Sequence, residues 1–116
     1  MSVTNTRGVI ATLFPASTSE AQLYAVPAGT VLDGVLRISN QDAEESSYRI
    51  AHCPAAHGDN AATNTDWVAY DVAIAAVGGA PHEYSIHAKA TETIRVKAGT
   101  ASKITFHLSG NKEVTT

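Results

Sequence analysis

The segment SYRIAHCPAAHGD, residues 47 to 59, carries the chain's single cysteine, Cys53, beside His52 and ahead of His57 and Asp59. A thiol among imidazoles and a carboxylate supplies the parts of a nucleophile with its base, or of a metal site. Both chemistries require the groups to converge on one point. Closed zinc sites usually recruit Cys and His in paired spacings, and here one Cys stands alone. His52 and His57 are separated by a strand-to-loop transition, so nothing in the sequence turns their nitrogens toward each other. His52 is also the strand neighbour of Cys53, which points the two side chains to opposite faces. The reading is therefore a small, half-buried thiol at a strand end, with solvated or interface histidines around it.

Other catalytic templates are absent. No G-x-S-x-G, P-loop or H-E-x-x-H pattern occurs, and HEYSIH at 82 to 87 places its second His one position too far for a zinc helix. AVGGAP at 76 to 81 is a tight turn with no helix or Lys behind it to hold a phosphate. Asp66, Asp71 and Glu83 read as surface charges. No catalytic residue, metal ligand or cofactor is assigned, and the chain is not expected to be an enzyme.

The elements that would position these residues are short strands. VIATLFP (9 to 15), AQLYAVP (21 to 27), VLDGVLRISN (31 to 40) and SYRIAHC (47 to 53) come first. DWVAYDVAIAA (66 to 76), HEYSIHAK (82 to 89), ETIRVKA (92 to 98) and ASKITFHLSG (101 to 110) follow. Period-two alternation turns Leu36 and Ile38 inward with Arg37 and Ser39 outward, and sets Ile104, Phe106 and Leu108 on one face. Tyr48, Ile50 and His52 share a face. In the fifth strand, Val68, Tyr70, Val72 and Ile74 would face one way and Trp67, Ala69, Asp71 and Ala73 the other. Residues 54 to 65, PAAHGDNAATNT, form a long polar loop.

About eight strands in roughly 105 residues suit one antiparallel all-β sandwich, jelly-roll-like or immunoglobulin-like. Residues 9 to 110 would form that domain, with a flexible arm at 1 to 8 and a tail at 111 to 116. Length and composition agree: 116 residues, 44% of them hydrophobic, are enough for one core. A formal charge of −3 with basic residues spread singly argues against a nucleic-acid partner. One cysteine makes no internal disulfide. MSVTNTRGVI is no signal peptide, and no apolar run suits a membrane span, so a soluble protein is expected.

Five segments together resemble a family of small structural proteins of tailed bacteriophage virions. They are LYAVPAGT (23 to 30), VLRISNQ (35 to 41), SYRIAHCPA (47 to 55), DWVAYDVAIAA (66 to 76) and ETIRVKAGTASKITFHLSGNKEV (92 to 114), in the family's order. His52 and Cys53 depart from it, standing where small apolar residues are commoner. The resemblance implies a capsid cement (decoration) protein that sits as a homotrimer on the major capsid protein at the virion surface, after synthesis in the host cytoplasm. Tail, neck or baseplate parts, or a receptor- or carbohydrate-binding module, are the alternatives. Contact candidates are Val3, Asn5 and Arg7 in the arm, Gln41 and Glu44 in the 41 to 46 turn, His57, Asp59 and Asn60 in the long loop, and Trp67.

Overall fold

A computed structural model describes residues 2–57 and 61–115. In it β1 (Val3–Leu13), β2 (Ala21–Ala25), β3 (Thr30–Asn40), β4 (Ser46–Cys53), β5 (Trp67–Ile74), β6 (His82–Lys89), β7 (Thr93–Ala98) and β8 (Ile104–Thr115) form two sheets. The first has the order β1-β8-β3-β6 and the second β2-β7-β4-β5, with antiparallel pairing throughout. Every connection crosses between sheets except the one joining β4 to β5. That winding is a jelly roll; an immunoglobulin-like sandwich would instead keep more successive strands side by side.

The alternation seen in sequence carries most of the core. Leu36, Ile38, Ile104, Phe106 and Leu108 of the first sheet are fully buried, as are Ile50, Ile94, Val96 and Ala98 of the second. Each large side chain so buried contributes about 1.5–3 kcal/mol. At one end of the core the Tyr48 hydroxyl lies 2.6 Å from both His82 Nδ1 and the Tyr84 hydroxyl, which joins the sheets through a satisfied polar group. Burial, then the bond to Tyr84, raises the Tyr48 phenol well above its ordinary value.

β5 departs from strict alternation. Its register against β4 shifts between Tyr48 and Ile50 and again between Ile50 and Ala51, and Asp71 takes φ 50°. Each bulge shifts the following side chains to the other face. Ala69 is therefore buried with Ile74, whereas Tyr70 is exposed on the side of Trp67, against the period-two reading.

Val3–Arg7 and Asn111–Thr115 also differ from the expected flexible arms. They pair with each other, and Asn111–Val114 pair on their other side with Thr30–Asp33. Their polarity has another origin: residues 3–9 of β1 are solvent-exposed.

One row positions the surface of the first sheet. Gly8, Gly110 and Gly34 lie opposite one another on β1, β8 and β3. A Cβ at Gly110, whose φ is +153°, would collide with the Asp33 carbonyl oxygen and the Gly34 Cα. Beside this row the outer face holds a shallow, open depression of about 630 Å³ lined by Arg7, Asp33, Val35, His87, Ser109 and Asn111.

Candidate functional site

The connection from β4 to β5 begins with a single 3-10 turn, Ala55–His57. Its end folds back, with the Asp66 carbonyl accepting from His52 N–H at 3.0 Å. Farther along, Ala62 N–H donates to Glu20 Oε2 at 3.0 Å, and Glu20 also pairs with Arg95. Beneath these contacts Ala51 and Cys53 have no exposed surface and Thr93 is 3% exposed. Thr93 stands opposite Cys53 in the β4–β7 register. Both lie on the outer face of the second sheet, since Ile94, Val96 and Ile50 face the core.

Cys53, His57 and Asp66 converge there, with one ligand atom from each within 4.8 Å of the others. Asp66 is locally determined. In the turn TNTD its N–H donates to the Thr63 carbonyl, while its Oδ2 accepts from the Thr63 N–H at 2.8 Å and hydroxyl at 3.1 Å. His57 Nδ1 lies 2.9 Å from the same Oδ2. Burial pushes the Asp66 carboxyl up, but the Thr63 donors and the His57 ring outweigh it and hold the group below its ordinary range. Burial raises the Cys53 thiol, the Thr93 hydroxyl pulls it down, and the net direction is upward.

This arrangement suits a ligand set better than a nucleophile. A catalytic thiol needs thiolate character and access, and Cys53 is fully buried with its proton held more tightly than usual. His52 takes no part: its Nε2 lies 2.8 Å from Glu92 Oε1. The fold-back of the loop, which the sequence leaves open, brings His57 to Cys53, while His52 stays apart from both. Asp66, read as a surface charge, is 6% exposed and completes the group. Its signal in the sequence was the Thr three positions earlier, the spacing of a side chain capping a turn.

The remaining candidates scatter. Val3, Asn5 and Arg7 alternate along edge strand β1 on the outer face of the first sheet, where Asn5 Oδ1 accepts from Asn111 Nδ2 at 3.1 Å. Gln41 and Glu44 lie at the β3–β4 turn, Gln41 Nε2 donating to Thr105 Oγ1 at 2.9 Å and the Glu44 carbonyl accepting from Asn40 Nδ2 at 2.9 Å. Trp67 packs edge-on to Tyr70 with ring centroids 5.6 Å apart, and the Arg49 guanidinium stands 3.8 Å from the Tyr70 centroid while paired with Asp71. Asp59 and Asn60 lie outside the described residues.

Sequence reasoning missed the outer face of the first sheet as a whole. Val3, Val9, Val31 and Val35 are between 37% and 65% exposed. The register sets them on that face, with Val35 in the lining of the depression where His87 Nδ1 meets Asp33 Oδ1 at 2.6 Å. Every second residue of three adjacent strands carries this signal, but it becomes a surface only when strand order is known.

No family model matches the chain. No curated protein matches it either. Among solved structures, a chain from the Bacillus endospore appendages, described as a novel family of disulfide-linked pili, superposes with TM-score 0.57 at 14% identity, covering 97% of this chain and 88% of that one. A chain in the structure of infectious bursal disease virus, Gx strain, gives TM-score 0.43 at 13% identity, covering 97% of this chain and 32% of that one. The pilus chain shares the fold.

Proposed function

We propose that this chain is a structural subunit that works by assembly, in particular a bacteriophage capsid cement protein binding the assembled head as a homotrimer on the major capsid protein. The observation that carries the reading is the outer face of the first sheet. It holds a shallow depression with Val35 in its lining, carries Val3, Val9 and Val31 into solvent elsewhere on the face, and is covered by no segment of the described chain. Several exposed apolar side chains gathered on one uncovered sheet face suit an interaction surface. The ordered resemblance of five segments to small phage virion proteins supports the choice of partner. A sandwich that binds only the assembled lattice stabilises it by mass action, and many weak copies add through multivalency.

A second reading, a filament subunit, is favoured by the near full-length overlap with the pilus chain. A disulfide-linked version fits poorly, because the single cysteine is buried. Copies would have to join through noncovalent contacts.

Light scattering followed by co-sedimentation with phage heads lacking this protein separates the readings. A trimer that binds heads saturably is the expected result. A monomer without affinity for heads would overturn the cement assignment, and filaments visible by electron microscopy would move it to the second reading.

A further inference from the structure

We propose that Cys53, His57 and Asp66 bind one divalent transition-metal cation of borderline softness, zinc foremost, which ties together the end of β4, the 3-10 turn and the start of β5. This site stands apart from the outer face of the first sheet and from the assembly reading.

The geometry is close to what such an ion needs. Zinc holds sulfur at about 2.3 Å and nitrogen or oxygen at about 2.0–2.2 Å, so ligand atoms around it stand roughly 3.3–3.6 Å apart. The three atoms here already lie within 4.8 Å of one another. Closing the set asks for movements on the order of 1 Å, the scale of small side-chain rotations. His57 Nδ1 and Asp66 Oδ2, at 2.9 Å, would open slightly.

Two buried polar atoms beside the ligands point to the occupant. His57 Nδ1 is buried and, despite its distance from Asp66, makes no directed hydrogen bond. A metal ion bound to both atoms would replace that poorly aligned pairing with two coordinate bonds. Thr93 Oγ1 is likewise buried, on the residue opposite Cys53, with the Cys53 sulfur as the hydrogen-bonding atom beside it. Once the sulfur is a metal-bound thiolate, that hydroxyl has an anionic acceptor beside it. Asp66 is already oriented by the Thr63 N–H and hydroxyl, the outer support that metal-binding carboxylates usually have.

Charge and softness agree. On binding, the Cys53 S–H bond breaks, its proton goes to solvent, and its electron pair forms the sulfur–metal bond. His57 binds neutral and Asp66 ionised, so thiolate and carboxylate together neutralise a divalent ion, which lowers the cost of burying it. Sulfur, nitrogen and oxygen donors suit zinc or cobalt; magnesium and calcium require oxygen sets. Three protein ligands leave a fourth tetrahedral position for water.

The test uses the full chain, kept reduced, titrated with Co²⁺ at neutral pH. A near-ultraviolet sulfur-to-cobalt band with visible tetrahedral bands, saturating at one equivalent and displaced by Zn²⁺, is expected. Zn²⁺ should raise the melting midpoint by several degrees while Mg²⁺ does not. Cys53→Ala and His57→Ala should each lose the sulfur band or at least about tenfold in affinity. His87→Ala, on the other sheet, should keep both. His57 is partly exposed, so its variant is the one most certain to fold; circular dichroism checks both. Absence of a sulfur band in the folded wild-type chain, an unchanged band in Cys53→Ala, or equal stabilisation by Mg²⁺ would overturn the proposal.

Discussion

The two outer faces of this jelly roll have opposite fates. On the second sheet, the β4–β5 connection and Glu20 close over Ala51, Cys53 and Thr93, so that strand positions pointing away from the core are nevertheless buried. On the first sheet, the same kind of position carries Val3, Val9, Val31 and Val35 into solvent, Val35 in a shallow depression beside the glycine row. A sandwich needs only its inner faces to fold. What covers each outer face is a separate choice, made by the chain itself on one side and by no described segment on the other.

The largest expected effect tests the shape of the bare face. Gly110→Ala places a Cβ against the Asp33 carbonyl and Gly34 Cα, which should cost about 3 kcal/mol through overpacking and strain. Chemical denaturation reads this directly. Gly8→Ala meets no atom within 4 Å, so its smaller loss would come from φ +137° alone, and the difference between the two measures the close approach of β8 to β3.

Next comes the covered face. Asp66→Ala leaves the Thr63 N–H and hydroxyl without their acceptor and the His57 ring without its acidic neighbour, an expected loss of about 2 kcal/mol. Asp66 and Glu92 both titrate below their ordinary values of 3.8 and 4.5. For both, burial works upward and is outweighed by hydrogen bonds, from Thr63 and from the Lys89 N–H respectively, together with His57 and His52. A carboxylate with a depressed folded pKa binds fewer protons folded than unfolded, so its stabilisation is complete above about pH 5 and is lost as pH falls through the folded value. Melting midpoints measured from pH 6 to 2 should therefore fall, and less steeply in Asp66→Asn than in the wild-type chain.

A smaller effect belongs to the rim of the covered face. Arg49→Met removes the guanidinium from Tyr70 and Asp71 while keeping an apolar stem, and should change Trp67 fluorescence with less loss of stability than Asp66→Ala. The smallest effect on stability sharpens the comparison most. Val9→Lys, at a side chain 65% exposed, should leave stability within about 0.5 kcal/mol and, on the proposed cement role, weaken binding to phage heads in co-sedimentation. Equal binding by wild type and variant would remove Val9 from the interface.

Legibility followed range. The pattern in VLDGVLRISN and KITFHLSG was enough to orient β3 and β8, because alternation is local and Leu36, Ile38, Phe106 and Leu108 obey it. DWVAYDVAI misled because bulges break the period without changing composition, and a bulge exists only against a partner strand. Polar termini read as arms for a similar reason: VTNTRG is an unremarkable edge strand once NKEVT lies beside it.

The sequence alone determined that this chain is a light, disulfide-free all-β sandwich, since side-chain period and turn residues act over a few positions. Tertiary structure decided the rest. Jelly-roll order, the row of Gly8, Gly110 and Gly34, and the meeting of Cys53 with Asp66 all bring together residues that the chain separates by 13 to 102 positions. Such meetings depend on which strands pair and where a loop returns, and no local propensity encodes either.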